Sequence, residues 1–77
     1  MKFTKDHQKQ LSITDAELSH LKERYTGIVM YESSQVLLDE WVPCYFGFHD
    51  GSKARQMNDM SMAVAEGRAR KPMALEF

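Results

Sequence analysis

The chain has a single cysteine, Cys44, so no intramolecular disulfide can hold its 77 residues together. A domain of this size buries only about 60% of the surface that its unfolded chain exposes. Small domains of oxidising compartments usually compensate with several disulfides. We therefore expect one globular domain over residues 1–77, located in the cytoplasm, whose stability comes from its apolar core or from a partner that completes it.

The apolar stretches of the chain predict no association with a membrane. The longest stretch without a charged or strongly polar residue covers residues 41–48, far short of the ~20 residues that a spanning helix needs. No apolar run follows Lys2, so a secretory signal is not expected either.

The net charge of −1 is distributed unevenly along the chain. Residues 1–26 carry +1 and residues 51–77 carry +2, whereas residues 27–50 carry −4 because they contain four acids and neither lysine nor arginine. Most of the aromatic residues also lie in this middle third. It can be a core segment that tolerates few long cations, or an acidic and aromatic contact surface.

The strongest local signal marks the start of a helix. Thr14 and Glu17 have the spacing of a capping box, and Ile13 and Leu18 have the spacing of a hydrophobic staple. An apolar stripe at helical spacing follows, and a glycine is placed to end it. The sequence predicts a helix over residues 15–26.

Three short segments have the character of β-strands. Residues 28–31 are β-branched, apolar and aromatic, whereas residues 44–49 and 73–77 alternate between apolar and other side chains. We therefore predict a small sheet built from these three segments; a helical turn is the alternative for residues 28–31, because four residues are too few for periodicity to decide.

The segment 34–42 breaks strand alternation because two leucines, and later two acids, follow each other. Wound as a helix, it would place the leucines, Trp41 and Val42 on one face and the acids opposite. Pro43 would stop such a helix, although the acids near its end oppose the helix dipole. We expect a helix here.

Residues from Ser52 onward have helical composition, and Gly67 is suited to end the helix. Its predicted inward face comprises Ala54, Met57, Met60, Ser61 and Val64. Met62 falls outside this face, among charged residues, and the segment 68–72 is expected to be a basic connector. The predicted fold class is α+β, with two or three helices packed on a short, mainly antiparallel sheet; an all-α bundle is the alternative.

No catalytic or metal-binding pattern meets its spacing requirement. Cys44 and His49 are five residues apart on a predicted strand, which places them on opposite faces. The cysteine and the histidines lack the spacing of a zinc site. The turn from Gly47 to Lys53 could hold an anion, but it departs from the spacing of a P-loop. We expect no enzyme activity, no cofactor and no metal.

The remaining prediction is a protein that binds another protein, as a regulator, an inhibitor or an accessory subunit. Its predicted contact residues are Glu32, Asp39, Glu40, Trp41, Tyr45 and Met62. A partner with a basic surface would suit the acids, and self-association is a further option.

The competing prediction is a small nucleic-acid-binding protein that uses the basic region 53–71. Its phosphate contacts would be Lys53, Arg55, Arg68, Arg70 and Lys71. Nucleic acid is the less favoured partner, because no aromatic residue is interleaved with these cations for base stacking.

Overall fold

The computed structural model describes every residue from Met1 to Phe77. Three helices and three strands follow one another as α1 (Lys5–Gln10), α2 (Asp15–Arg24), β1 (Gly27–Gln35), β2 (Glu40–Phe48), α3 (Lys53–Ala65) and β3 (Ala69–Glu76). The strands form one antiparallel sheet in the order β2-β1-β3. The predicted α+β class is therefore confirmed, and the all-helical alternative is wrong.

Both N-terminal helices begin at a threonine cap. The Thr14 hydroxyl accepts a hydrogen bond from the Glu17 amide at 3.1 Å, which is one half of the capping box predicted for α2; the return bond from the Thr14 amide to the Glu17 side chain is not formed. The helix α1 was not predicted. Its cap is a reciprocal pair in which the His7 amide donates to the Thr4 hydroxyl and the Thr4 amide donates to His7 Nδ1. A histidine replaces the Glu or Gln of the usual motif, which hides this helix from a search for that motif.

The segment 34–42, expected as a helix, forms the end of the β1–β2 hairpin instead. The last pair of the ladder joins Gln35 to Glu40, and residues 36–39 form the turn. Asp39 closes this turn at a φ of 50°, in the left-handed region that aspartate tolerates better than most residues. Strand alternation breaks here because the two leucines and Asp39 belong to a turn, after which Glu40 begins β2, and not because these residues share a helix.

The sheet is covered on both faces, so alternate side chains of each strand enter different cores. On the face toward α3, which we call the α3 face, the buried core comprises Val29, Phe48, Met60, Ala63 and Ala69. On the opposite face, the α1–α2 face, it comprises Ile13, Ile28 and Leu75. Residues 27–29 of the central strand are consequently buried whichever way they point.

The helix α3 turns Met57, Met60 and Ala63 toward the sheet. The predicted inward face is therefore only partly right. Three of its members are exposed instead, namely Ala54, Ser61 and Val64. The helix contacts the sheet through positions 57, 60 and 63. Ala63 was not predicted to face inward because its small side chain contributes little to an apolar pattern in the sequence.

The segment 68–72 is mostly strand rather than the expected basic connector, because β3 begins at the buried Ala69. The register with β1 shifts between Met30 and Glu32, and Lys71 has a φ of 54° at this irregularity. This is the geometry of a β-bulge, which bends the strand and redirects its side chains.

The two edges of the sheet differ. At the end of β3, the Phe3 amide donates to the Glu76 carbonyl at 2.8 Å and the Glu76 amide donates to the Met1 carbonyl at 2.9 Å, so N-terminal residues pair with that edge at Glu76. No strand covers β2. Pro43 lies in the middle of this free edge, where a residue without an amide hydrogen is tolerated.

Candidate interaction surface

The turn of the β1–β2 hairpin presents three consecutive apolar side chains to solvent. The exposed fractions are 85% for Val36, 100% for Leu37 and 65% for Leu38. The turn is held in shape by its own backbone, since the Leu38 amide donates to the Gln35 carbonyl at 3.1 Å. We call residues 36–38 the hairpin tip. Scattered exposed leucines are ordinary, whereas a contiguous apolar run at the surface is typical of an interaction site.

Two acids follow the hairpin tip directly. Asp39 and Glu40 are both exposed, and neither forms an ion pair. Because residues 27–50 contain no lysine or arginine, no cation of the same hairpin offsets them. The hairpin tip is therefore an apolar protrusion that is followed directly by the two negative charges of Asp39 and Glu40.

Glu32, also predicted as a contact residue, has a different environment. Its carboxylate lies 3.2 Å from Arg70 Nη2 and 3.4 Å from Lys71 Nζ. The hydrogen bond from Arg70, assisted by Lys71, lowers the pKa of Glu32 from its ordinary value of 4.5. Glu32 thus ties β1 to β3, and its charge is matched within the molecule.

We expect the Glu32 pair to make stability depend on pH in the acidic range. Because the folded pKa is lowered, the contribution to stability is complete above about pH 4.5 and is lost as pH falls through the folded pKa. The urea midpoint of Glu32→Gln should therefore fall less between about pH 5 and pH 3 than that of the unaltered protein. Glu23→Gln, at an exposed α2 position without an ion pair, is the control. Equal slopes for Glu32→Gln and the unaltered protein would contradict this role.

Trp41 lies on the α1–α2 face, between the hairpin tip and the two N-terminal helices. The guanidinium carbon of Arg70 is 4.6 Å from the centre of its indole ring, within the range of a cation–π contact. The side chain is half-buried and belongs to neither buried core. Trp41 is therefore a surface residue with one ring face covered by arginine.

The other predicted contact residues do not share one surface. Tyr45 lies on the α1–α2 face with Trp41 but packs against the core beneath the N-terminal helices. Met62 is 56% exposed, as its position outside the inward face predicts. It projects from α3, which covers the opposite face of the sheet. The predicted set thus divides into the hairpin end, the paired Glu32, the packed Tyr45 and the separate Met62.

The cations predicted to contact nucleic acid form no continuous patch. Lys53 and Arg55 lie at the start of α3, whereas Arg68, Arg70 and Lys71 follow its end, and a helix of this length spans about 20 Å. Four of the five cations form ion pairs within the molecule, with Glu76, Glu66 and Glu32. Only Arg55 has no acidic partner.

The residues considered for catalysis or anion binding remain apart. Cys44 pairs with Tyr31, whose side chain packs on the α3 face, while the His49 ring lies 5.2 Å from that of Tyr25. The amine of Lys53 lies 2.7 Å from the Glu76 carboxylate, so it is directed toward β3. No three His, Cys, Asp or Glu side chains gather as a metal site requires.

None of the helices has the length and hydropathy needed to cross a bilayer. No family model, curated protein or solved structure matches the chain. The geometry of the surface is therefore the basis for assigning a function.

The sequence did not reveal the hairpin tip as a site. The sequence places its leucines on the apolar face of a predicted helix, because an apolar side chain gives the same signal in a helix face and at a turn. One feature could have identified the turn: an aspartate that closes four residues between two strand-like segments is suited to the left-handed conformation.

Proposed function

We propose that this protein acts by binding another protein, as a regulator, inhibitor or accessory subunit, and that the hairpin tip is the centre of its contact surface. The observation that carries the proposal is the exposure of Val36, Leu37 and Leu38 side by side. Burying one such side chain is worth about 1.5–3 kcal/mol. An isolated molecule gains none of this free energy at the tip, whereas a complex gains it.

The charge beside the hairpin tip favours a protein over the other classes of partner. Asp39 and Glu40 would repel nucleic acid phosphates and anionic lipid headgroups at the same place. A protein partner with an apolar recess and basic residues around it would instead attract both the tip and the acids. The acids would then speed encounter and fix orientation more than they add affinity.

Pro43 bears on how the partner is bound. A partner that added its own strand to β2 would need backbone donors along that edge, and proline supplies none. Proline on an exposed edge strand is a known means of preventing such pairing. Recognition is therefore expected to use the side chains at the end of the hairpin rather than the backbone of its edge.

Site-specific cross-linking in the cell that makes the protein tests this proposal. A photoreactive amino acid at position 37 should yield a discrete covalent adduct with a protein, because that side chain is fully exposed. The same group at position 62, also exposed but on α3, and at position 23 on α2 serves as control. An adduct from position 62 and none from position 37 would contradict the proposal, and so would the absence of any adduct.

A further inference from the structure

An open pocket of about 430 Å³ lies on the α1–α2 face, where the N-terminal helices leave the sheet uncovered. Its walls are largely apolar and include Met30, Pro43 and Met73, and the end of α1 borders it at Gln10. An apolar cavity of about 150 Å³ is large enough to take a benzene molecule. The pocket therefore has room for more than one branched aliphatic side chain.

Cations lie at the border of this pocket. Lys71 lines it with 72% of its side chain exposed, and Arg70 adjoins it over Trp41. The Glu32 carboxylate also lines the pocket and pairs with both cations, so these three groups together carry one net positive charge. The surroundings of the pocket are thus more basic than those of the hairpin tip, where Asp39 and Glu40 are unpaired.

The hairpin tip cannot enter the pocket of its own chain. The β1–β2 ladder is regular up to its last pair, Gln35–Glu40, beside the hairpin tip. Pro43, which lines the pocket, lies three residues along β2 from this pair, a distance of about 10 Å. Backbone pairing therefore holds the tip away from the pocket of the same molecule. A hairpin tip that fills this pocket must therefore come from another molecule.

We infer that the protein binds a second copy of itself by reciprocal insertion of each hairpin tip into the partner's pocket. This inference rests on the proposed role of the tip as a contact surface and names its occupant. The chain carries an apolar protrusion beside two unpaired acids and a mostly apolar recess whose charged border has one net positive charge, so the two features complement each other. Reciprocal contacts about a two-fold axis close after two copies, whereas one-way insertion would continue into a filament.

Trp41 lies on the same face, between the tip and the pocket. In the reciprocal dimer the partner molecule covers both the hairpin tip and the pocket on either side of Trp41, so the exposed face of the indole ring would become buried. Because Trp41 is the only tryptophan of the chain, its fluorescence reports on this contact alone.

Sedimentation equilibrium up to about 1 mM protein measures the association directly. We expect a monomer–dimer equilibrium that stops at two copies, with a blue shift of Trp41 emission that follows the dimer fraction. Leu37→Asp should weaken the association more than tenfold, because burial of one leucine side chain is worth at least that factor. Met62→Asp, the same kind of change at an exposed position of α3, should leave it unchanged.

Charge exchange tests which groups face each other. Glu40→Lys and Lys71→Glu should each weaken the dimer a few-fold, and the double variant should recover much of the loss. In a Cys44→Ala background, chains with Leu37→Cys should form mixed disulfides with chains carrying Pro43→Cys. Chains with Met62→Cys should not do so at a comparable rate.

The outcomes separate this inference from the proposed function. A protein that stays monomeric at every concentration overturns self-association, while an adduct from position 37 to a different protein would still support the proposed function. A dimer that tolerates Leu37→Asp overturns the insertion geometry. A monomer that also yields no adduct from position 37 overturns both.

Discussion

Phe48→Ala should have the largest effect on the stability of this domain. The Phe48 side chain is completely buried on the α3 face, where it contacts both the central strand and α3. Truncation of a buried phenylalanine costs about 3–5 kcal/mol, whereas the whole free energy of unfolding of a chain this long is about 4–12 kcal/mol. Far-ultraviolet circular dichroism during urea denaturation should show a midpoint far below that of the unaltered protein.

Phe46→Ala is the matched control for this loss. Phe46 has the same side chain on the same strand and the same face, but it is only half-buried and packs at the border of the core. Its truncation should cost less than half as much. Equal losses for the two variants would mean that the core does not centre on the junction of Phe48 with α3.

Gly27→Ala should have the second largest effect, of about 3 kcal/mol. A β-carbon at Gly27 would collide with the Leu75 carbonyl oxygen and come within 2.7 Å of the Phe48 ring. The ring could move, but the carbonyl belongs to the backbone of β3, so the strands themselves would have to separate. The urea midpoint and the melting temperature of the variant, measured by circular dichroism, report this loss.

Gly51→Ala is the control for Gly27→Ala, because a β-carbon at position 51 meets nothing within 4 Å. It should leave the free energy of unfolding within about 0.5 kcal/mol of the starting value. In a Phe48→Leu background, Gly27→Ala should cost somewhat less than in the unaltered protein, because the smaller side chain relieves the ring contact and leaves the backbone collision. A cost that disappears in that background would show that the Leu75 backbone is not the obstacle.

Secondary structure that depends only on residues close together along the chain could be predicted from the sequence. The cap at Thr14 places the start of α2 correctly, and the three predicted strand segments lie within β1, β2 and β3 apart from one terminal residue in each of the last two. These signals are local, because a cap or an alternating pattern acts within a few residues. The helix expected over residues 34–42 failed because its apolar spacing fits a helix face as well as it fits two strand ends and a turn.

The candidate site divides in the same way, into local properties that the sequence contains and contacts that only the fold creates. The sequence by itself determined that the middle third is apolar and acidic and that Met62 lies outside the inward face of its helix. Only the tertiary structure decided that Glu32 is neutralised by Arg70 and Lys71, that Trp41 lies at the surface and that Leu37 is fully exposed. The physical reason is that side-chain chemistry is a property of the residue, whereas burial and ion pairing depend on which distant strands the backbone brings together.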